Sequence, residues 1–480
     1  MILGMCGIVK LLISSSIGTI PANIHCDKLN PKIDALKSNR IKVVTENTPW
    51  PGDIIAGVTS MGFGGVNTFA LLSFEDSRDD GWESSFPPQI PLLVTFSGRT
   101  TQTLRDSLNE IGDLSDKRVV TLLHAITAGQ SVKGYPSRGY ILMNSDMRIV
   151  NVEEKPGPSK PPTVVFIFSG RGSQINGMLD TFKEFPVYRE SIERSEKYLL
   201  DCGYHLRTEA SDEMHGGTIA LSVGTTCVQI AIIALLSSVG ISPHLFVGHS
   251  TGELLCDYAD GHLSHEQTVH LALLRALTIE NAKEMDGEMQ ADEKFRFELN
   301  KIPGHNETPS ERWIRTRPGS SPSDASDRRT TTRVADVIAN MTTSRVDFEE
   351  KVKLIPDGSL VLEIAPEECN LESVIRESIL SLNPNSTTKI LDLTTRQDQH
   401  RSDHYSVFLA ALGELYKAGL NPDLRQIYQV ELPLGPWTSY LSHMVKWDHR
   451  TSWKVPTIQR VRVFSGQRMR INYLPVLKHM

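Results

Sequence analysis

The longest run of apolar positions lies near the middle of the chain. From Ile219 to Gly240 it is apolar through Cys227, Val228, Ile230, Ala231, Ile232, Leu235 and Leu236, which predicts a continuous buried helix. Shorter runs flank it. Thr163–Phe168 is β-branched and aromatic, as a strand covered on both faces would be, and so is Ser359–Ala365. Leu245-Phe246-Val247 predicts a short buried strand, with a helix opening at Glu253. Phe408–Gly419 has the spacing of an amphipathic helix. Further upstream, Leu92–Phe96 predicts a strand leading to a helix from about Thr100. A second helix is expected over residues 117–128, then a returning strand at Arg138–Leu142. The N-terminal region predicts a core helix with Ile8, Leu11 and Leu12 on one face, a strand at Ile41–Val44, and two buried strands turning at Gly62, Gly64 and Gly65. Lys283–Asn300 is charge-rich and predicts an exposed helix.

Strands alternating with helices imply an α/β protein with a parallel sheet, and proline clusters suggest where it divides. Pro87-Pro88, Pro156-Gly157-Pro158 and Pro161-Pro162 are such breaks. The expected division is 1–75, 76–160, 161–430 and 431–480. A length of 480 residues agrees with more than one core.

Composition narrows the function classes. Hydrophobic residues make up 39% and charged residues 22%, which describes a soluble globular chain. A net charge of −7 leaves no basic stripe for nucleic acid. The six cysteines, Cys6, Cys26, Cys202, Cys227, Cys256 and Cys369, form no Cys-x-x-Cys pair, so neither a metal site nor a disulfide framework is expected. Residues 1–20 are apolar but lack a basic start and place Lys10 within the run, unlike a secretion signal. The expectation is a cytoplasmic protein without membrane association.

The candidate chemistry centres on Gly248-His249-Ser250-Thr251-Gly252. Gly-x-Ser-x-Gly between a strand and a helix lifts a serine onto a sharp bend, where side chains at the glycines would clash. A structural turn is the bland alternative. Ser169-Gly170-Arg171-Gly172-Ser173-Gln174 follows a predicted strand as a loop of free backbone N–H groups, but it lacks the Lys-Ser/Thr pair of a phosphate-binding loop. Arg275 interrupts an apolar helix, where its guanidinium either grips a carboxylate through paired hydrogen bonds or snorkels to solvent.

Several motifs, in order, resemble the animal-type (type I) fatty acid synthase and polyketide synthase family. Gly62-Phe63-Gly64-Gly65-x-Asn67, with Ile24-His25, Asn30-Pro31 and Leu71, resembles the C-terminal end of a thiolase-like ketosynthase. Ser97-Gly98-Arg99-Thr100 and Arg138-Gly139-Tyr140 resemble the small α/β linker domain that follows it. Gly170-x-Gly172-x-Gln174, Gly248–Glu253 and Tyr258-Ala259-Asp260-Gly261 resemble a malonyl/acetyl acyltransferase with an α/β-hydrolase-like core. Residues 438–453 are similar to the linker after that domain, and 455–480 match no known pattern.

The resemblance implies roles residue by residue. Ser250 would be the nucleophile, with Gln174 and Thr251 as oxyanion-hole donors. His249 and Arg275 would contact substrate, and Asn340 would orient a catalytic histidine. Substrates would be malonyl- and acetyl-coenzyme A, and the acyl acceptor the phosphopantetheine thiol of an acyl carrier protein. No cofactor would be bound by this chain, and the parent family is a homodimer. The histidine motif itself is missing from its expected place. His305 is the only histidine between His270 and His400 and lacks that motif. His262, His265 and His270 follow the serine on helices that point away from it. Glu367 stands where the family has a histidine after proline. A catalytically impaired fragment or scaffold, and a serine esterase using His400 or His404, are the rival readings.

Overall fold

In the computed structural model the described residues are 2–26, 28–52, 54–61, 67–74, 90–112, 117–128, 135–143, 149–156, 161–170, 178–206, 218–284, 310, 312–314, 348–366, 371–394, 404–428, 454–461 and 468–475. The chain divides into two compact units, Met1–Ser85 with Val430–Ser439, and Phe86–Gln429 with Tyr440–Met480.

The first unit holds α1 (Ile2–Ser16), β1 (Thr19–Ile20), the one-turn α2 (Asp34–Lys37), β2 (Thr48–Pro49), β3 (Ile55–Met61) and β4 (Asn67–Ser73). β3 and β4 pair antiparallel in register Ile55↔Ser73 to Met61↔Asn67. The expected pair of strands is therefore present, with Gly62, Gly64 and Gly65 outside the described residues, but the strands are not buried. Ile55, Met61, Phe69 and Leu71 are all exposed. The N-terminal helix is not a core helix either, since Met5, Val9 and Leu12 face solvent. It meets β3 through glycine, because a Cβ at Gly4 would lie 2.8 Å from Ser60 Cβ and one at Gly7 2.9 Å from Val58 Cγ1. Ile41–Val44 forms no strand. α1 covers only the face of β3 that carries Val58 and Ser60, so the opposite face, with Ile55 and Met61, is left exposed.

In the second unit, β5 (Leu92–Gly98), α3 (Thr101–Gly112), α4 (Lys117–Thr127), β6 (Ser137–Met143) and β7 (Ile149–Pro156) follow in order. The strands make an antiparallel sheet ordered β5-β6-β7. Sequence reading found the strand-helix-helix-strand part and missed β7. Its Glu153-Glu154-Lys155 run obscures the strand, and an edge position tolerates such charge.

The parallel sheet comes next. Its elements are β8 (Val164–Phe168), α5 (Pro186–Asp201), α6 (Thr218–Ser238), β9 (Leu245–Gly248), α7 (Gly252–Asp260), α8 (His265–Glu284), α9 (Phe348–Val352), β10 (Leu360–Ile364), α10 (Glu372–Leu382), β11 (Lys389–Asp392) and α11 (His404–Lys417). The sheet order is β11-β10-β8-β9, with every pairing parallel. Val165, Ile167, Val247 and Val361 on its strands pack against Phe348, Val352 and Ile375, the core of that face. α6 has the length and apolarity to cross a membrane, but 83% of its apolar window is buried inside the fold. A last antiparallel hairpin joins β12 (Lys454–Val461) to β13 (Arg468–Pro475). Of the charge-rich stretch expected as a helix, α8 reaches Glu284 and residues 285–300 lie outside the described residues.

The antiparallel sheet is joined to α11 by fitted and hydrogen-bonded contacts. Gly413 leaves room for a ring, since a Cβ there would come within 2.6 Å of Tyr140. Arg138 Nη1 donates to the carbonyls of Tyr416 and Leu420 at 3.1 and 2.7 Å, which satisfies the C-terminal end of α11. Tyr428 Oη donates to Pro91 O at 2.6 Å and accepts from Leu93 N–H at 2.9 Å.

Candidate active site

β9 ends at Gly248 and α7 begins at Gly252, leaving three residues for the reversal. Ser250 sits at its tip with φ of 55°, in the left-handed region that costs a non-glycine residue about 1–2 kcal/mol. The surrounding backbone holds it there. His249 N–H donates to Phe168 O at 2.9 Å, tying the turn to the end of β8. Gly252, Glu253 and Leu254 N–H then bond the carbonyls of His249, Ser250 and Thr251 at 3.0, 3.2 and 3.1 Å, so the helix starts at once.

The glycines are required by space. A Cβ at Gly248 would lie 2.5 Å from Glu253 N, and one at Gly252 would run into Phe168 O. A Cβ at Gly170 would lie 3.1 Å from His249 Nδ1 and 3.2 Å from Ser250 Cβ. The end of β8 and the serine turn are thus in contact across the two strands. Gln229 on α6 braces that end, its Nε2 donating to Ser169 O at 3.0 Å and to Ser169 Oγ at 3.3 Å.

Thr251 has no side-chain capping bond to α7, because its hydroxyl has another partner. Arg275 on α8 donates from Nη1 to Thr251 Oγ1 at 2.7 Å. Arg275 is 7% exposed, so its head does not snorkel to solvent. Among the described residues the Thr251 N–H makes no hydrogen bond. It lies at the N-terminus of α7, where the helix dipole favours negative charge. The His249 and Phe348 rings meet nearly at right angles, with centroids 5.2 Å apart. Burial lowers the His249 pKa and favours the neutral imidazole.

The structure therefore brings Ser250, Thr251, His249 and Arg275 together. Gln174, Asn340, His305 and Glu367 lie outside the described residues. The three histidines after the serine each have structural company. His262 Nδ1 is 3.1 Å from Asp257 Oδ1, His265 Nε2 is 2.7 Å from Ser195 Oγ, and His270 meets the Tyr198 ring. Among the described residues no imidazole is hydrogen-bonded to Ser250 Oγ.

Sequence reading missed two buried polar groups beside the turn. One is Gln229, hidden in the apolar run that predicted α6. The other is Glu253, 1% exposed in the first turn of α7, whose Oε2 accepts from Trp313 Nε1–H at 2.9 Å. Chemically, the arrangement offers a half-buried serine on a strained turn, a backbone N–H at a helix N-terminus, and a buried guanidinium.

Comparison with known proteins agrees with this geometry. Residues 165–315 match the acyl transferase domain family, and residues 30–142 match the ketoacyl-synthetase C-terminal extension. Highly reducing polyketide synthase VdtX of Byssochlamys spectabilis is 29% identical over 288 residues, covering 57% of this chain and 13% of that protein. Highly reducing polyketide synthase srdA of Neurospora crassa is 31% identical over 309 residues, with the same 57% and 13% coverage. The chain thus spans a small part of the length of these relatives. Among solved structures, the acyl transferase domain of ZmaA superposes with TM-score 0.54 at 17% identity, covering 72% of this chain and 99% of that one. The acyl transferase domain of SpnD, in complex with 2-(pent-4-yn-1-yl)malonyl, gives 0.50 at 18% identity, covering 68% and 96%. The acyltransferase fold expected from the sequence is present, and the match at residues 30–142 precedes it in the chain.

Proposed function

We propose that this chain is the acyltransferase-bearing region of a type I polyketide or fatty acid synthase. On this reading Ser250 takes a malonyl or acetyl group from coenzyme A and passes it to an acyl carrier protein. One observation carries it: a serine held at positive φ between β9 and α7, with the buried Arg275 fixed to the next residue. In the first half-reaction Ser250 Oγ attacks the thioester carbonyl. The Oγ–C bond forms, the C–S bond breaks, and the serine proton leaves with the coenzyme A thiol. The Thr251 N–H, with a second donor from Gln174, stabilises the oxyanion. The carrier's phosphopantetheine thiol then takes the acyl group by the reverse steps. Arg275 supplies the positive charge that a malonyl carboxylate requires.

Polyketide synthase relatives support the polyketide branch over the fatty acid synthase that the motifs first suggested. Malonyl as the substrate class is supported by the malonyl derivative bound to the SpnD domain. Residues 1–75 would then be the C-terminal end of a ketosynthase, and 76–160 the linker domain. Asn340 would hold the orienting position, and the work would take place in the cytoplasm.

A catalytically impaired domain is the second reading, favoured by the lack of the family's histidine motif between Ser250 and Asn340. Intact-mass analysis after incubation with malonyl-coenzyme A separates the two. The expected result is slow formation of a malonyl adduct that maps to Ser250 and is lost in Ser250→Ala. No adduct over hours would make this a scaffold.

A further inference from the structure

The segment around Trp313 touches both ends of the helix that follows the nucleophile turn. Trp313 lies beside β9 as a fifth, parallel position of the sheet, in an isolated bridge with Phe246. Phe246 N–H donates to Arg312 O at 3.0 Å, and Ile314 N–H donates to Phe246 O at 2.9 Å. At the far end of α7, Asp260 accepts from Ser310 N–H at 2.9 Å and from Ser310 Oγ at 2.6 Å. At its near end the Trp313 indole donates to Glu253, three residues after the nucleophile.

We propose that Trp313 is a positioning residue for the nucleophile turn, acting through its Nε1–H bond to the buried carboxylate of Glu253. Glu253 sits in the first turn of α7, where its backbone N–H also bonds Ser250 O. A buried carboxylate is costly without a donor, so its bond to Trp313 fixes where that turn of helix lies relative to β9. The strained φ of Ser250 persists only while its surroundings over-determine it. Phe246 and Trp313 rings, with centroids 6.5 Å apart, add packing on the same side. The bond joins residues 60 positions apart and closes the turn from the side opposite β8. This inference concerns the site read above as acyltransferase, but it rests on hydrogen bonds and not on the activity.

The test is Trp313→Phe in the full chain, which keeps the ring and removes the donor, read first by hydrogen exchange. Amides of Gly252, Glu253 and Leu254 should exchange about tenfold faster or more while those of α6 keep their wild-type protection. Glu253→Gln, which retains an acceptor for the indole, should stay near wild type. In an acylation assay Trp313→Phe should lower kcat about tenfold with KM unmoved, as expected for a misplaced nucleophile and an intact substrate site. Unchanged elbow exchange in folded Trp313→Phe overturns the proposal, and so does equal acceleration in α6 and α7. If Trp313→Phe does not fold, Glu253→Met decides: it removes the acceptor of the same bond at similar side-chain length, and unchanged elbow exchange there also overturns the proposal. Local loss of protection in a protein that forms no acyl adduct would sustain this inference and defeat the proposed function.

Discussion

Arg275 Nη1 donates to Thr251 Oγ1 at 2.7 Å, so the residue after the nucleophile is held by one 24 positions later on another helix. The bond takes the threonine hydroxyl from its usual capping role and aims it at α8. It also fixes the guanidinium beside the turn. Replacing Arg275 with Leu should lower malonyl transfer to Ser250 by about tenfold to a hundredfold and acetyl transfer far less. Competition between the two coenzyme A esters measures the ratio, and equal losses would remove the carboxylate role.

Ser250 should be a site where function is held at the expense of stability. Ser250→Gly places a residue with no left-handed penalty at φ of 55°, so the folded chain should gain about 1 kcal/mol while acylation disappears. Urea midpoints of the two proteins give the sign directly. A loss of stability would mean that the serine side chain makes a bond outweighing its strain.

Gly248 and Gly252 should tolerate no side chain. Alanine at either position meets the backbone of Glu253 or Phe168, groups that cannot turn aside as a flexible side chain would. Each variant should lose more than about 3 kcal/mol or fail to fold. Gly261, left-handed but with open space around its Cβ position, is the control and should lose only the smaller cost of its φ of 87°.

Acid should destabilise the second unit through its buried histidines. Burial holds the His124 pKa at about 4, with Nδ1 2.9 Å from Leu93 O, and holds His265 at about 4 as well. Between pH 6.5 and 4 the unfolded chain takes up protons that the folded chain refuses, so stability falls as pH falls through that window. His124 alone accounts for up to about 3 kcal/mol. Asp257 works in the other direction: burial raises its pKa to about 6, so from pH 4 to 6 rising pH costs the folded form stability. His124→Leu isolates the first effect. Its urea midpoint should be lower than wild type at pH 7 and fall less steeply toward pH 4.

Much of the site was legible in the sequence because its constraints are local. Two glycines, a serine and the change from apolar strand to helix lie within ten residues, and each is dictated by the space at one turn. α6, β8 and β10 were legible because continuous apolar runs have few alternatives to burial. Hydrophobicity misled at α1 and at the β3–β4 hairpin, where apolar residues point to solvent. β7 was hidden by its charges. Trp313 was illegible for a different reason: its partners Phe246 and Glu253 lie more than fifty residues away, and a single bridged residue leaves no period in the sequence.

The closure of α11 on the antiparallel sheet bears on how this protein is to be cut or transplanted. Tyr140 and Glu414 are 274 residues apart in the chain, yet their side chains meet, and Tyr428 reaches back to Pro91. A boundary drawn at the prolines near 160 would divide the polypeptide where its sequence is most permissive and its folded interior least so. The excised C-terminal piece would present Gly413, Tyr416 and Tyr428 to water, and the N-terminal piece would bare Tyr140 and Leu93. The smallest portable cassette therefore runs from before Pro91 to beyond Tyr428, and transfer of the serine-bearing core to another protein should carry the preceding sheet with it.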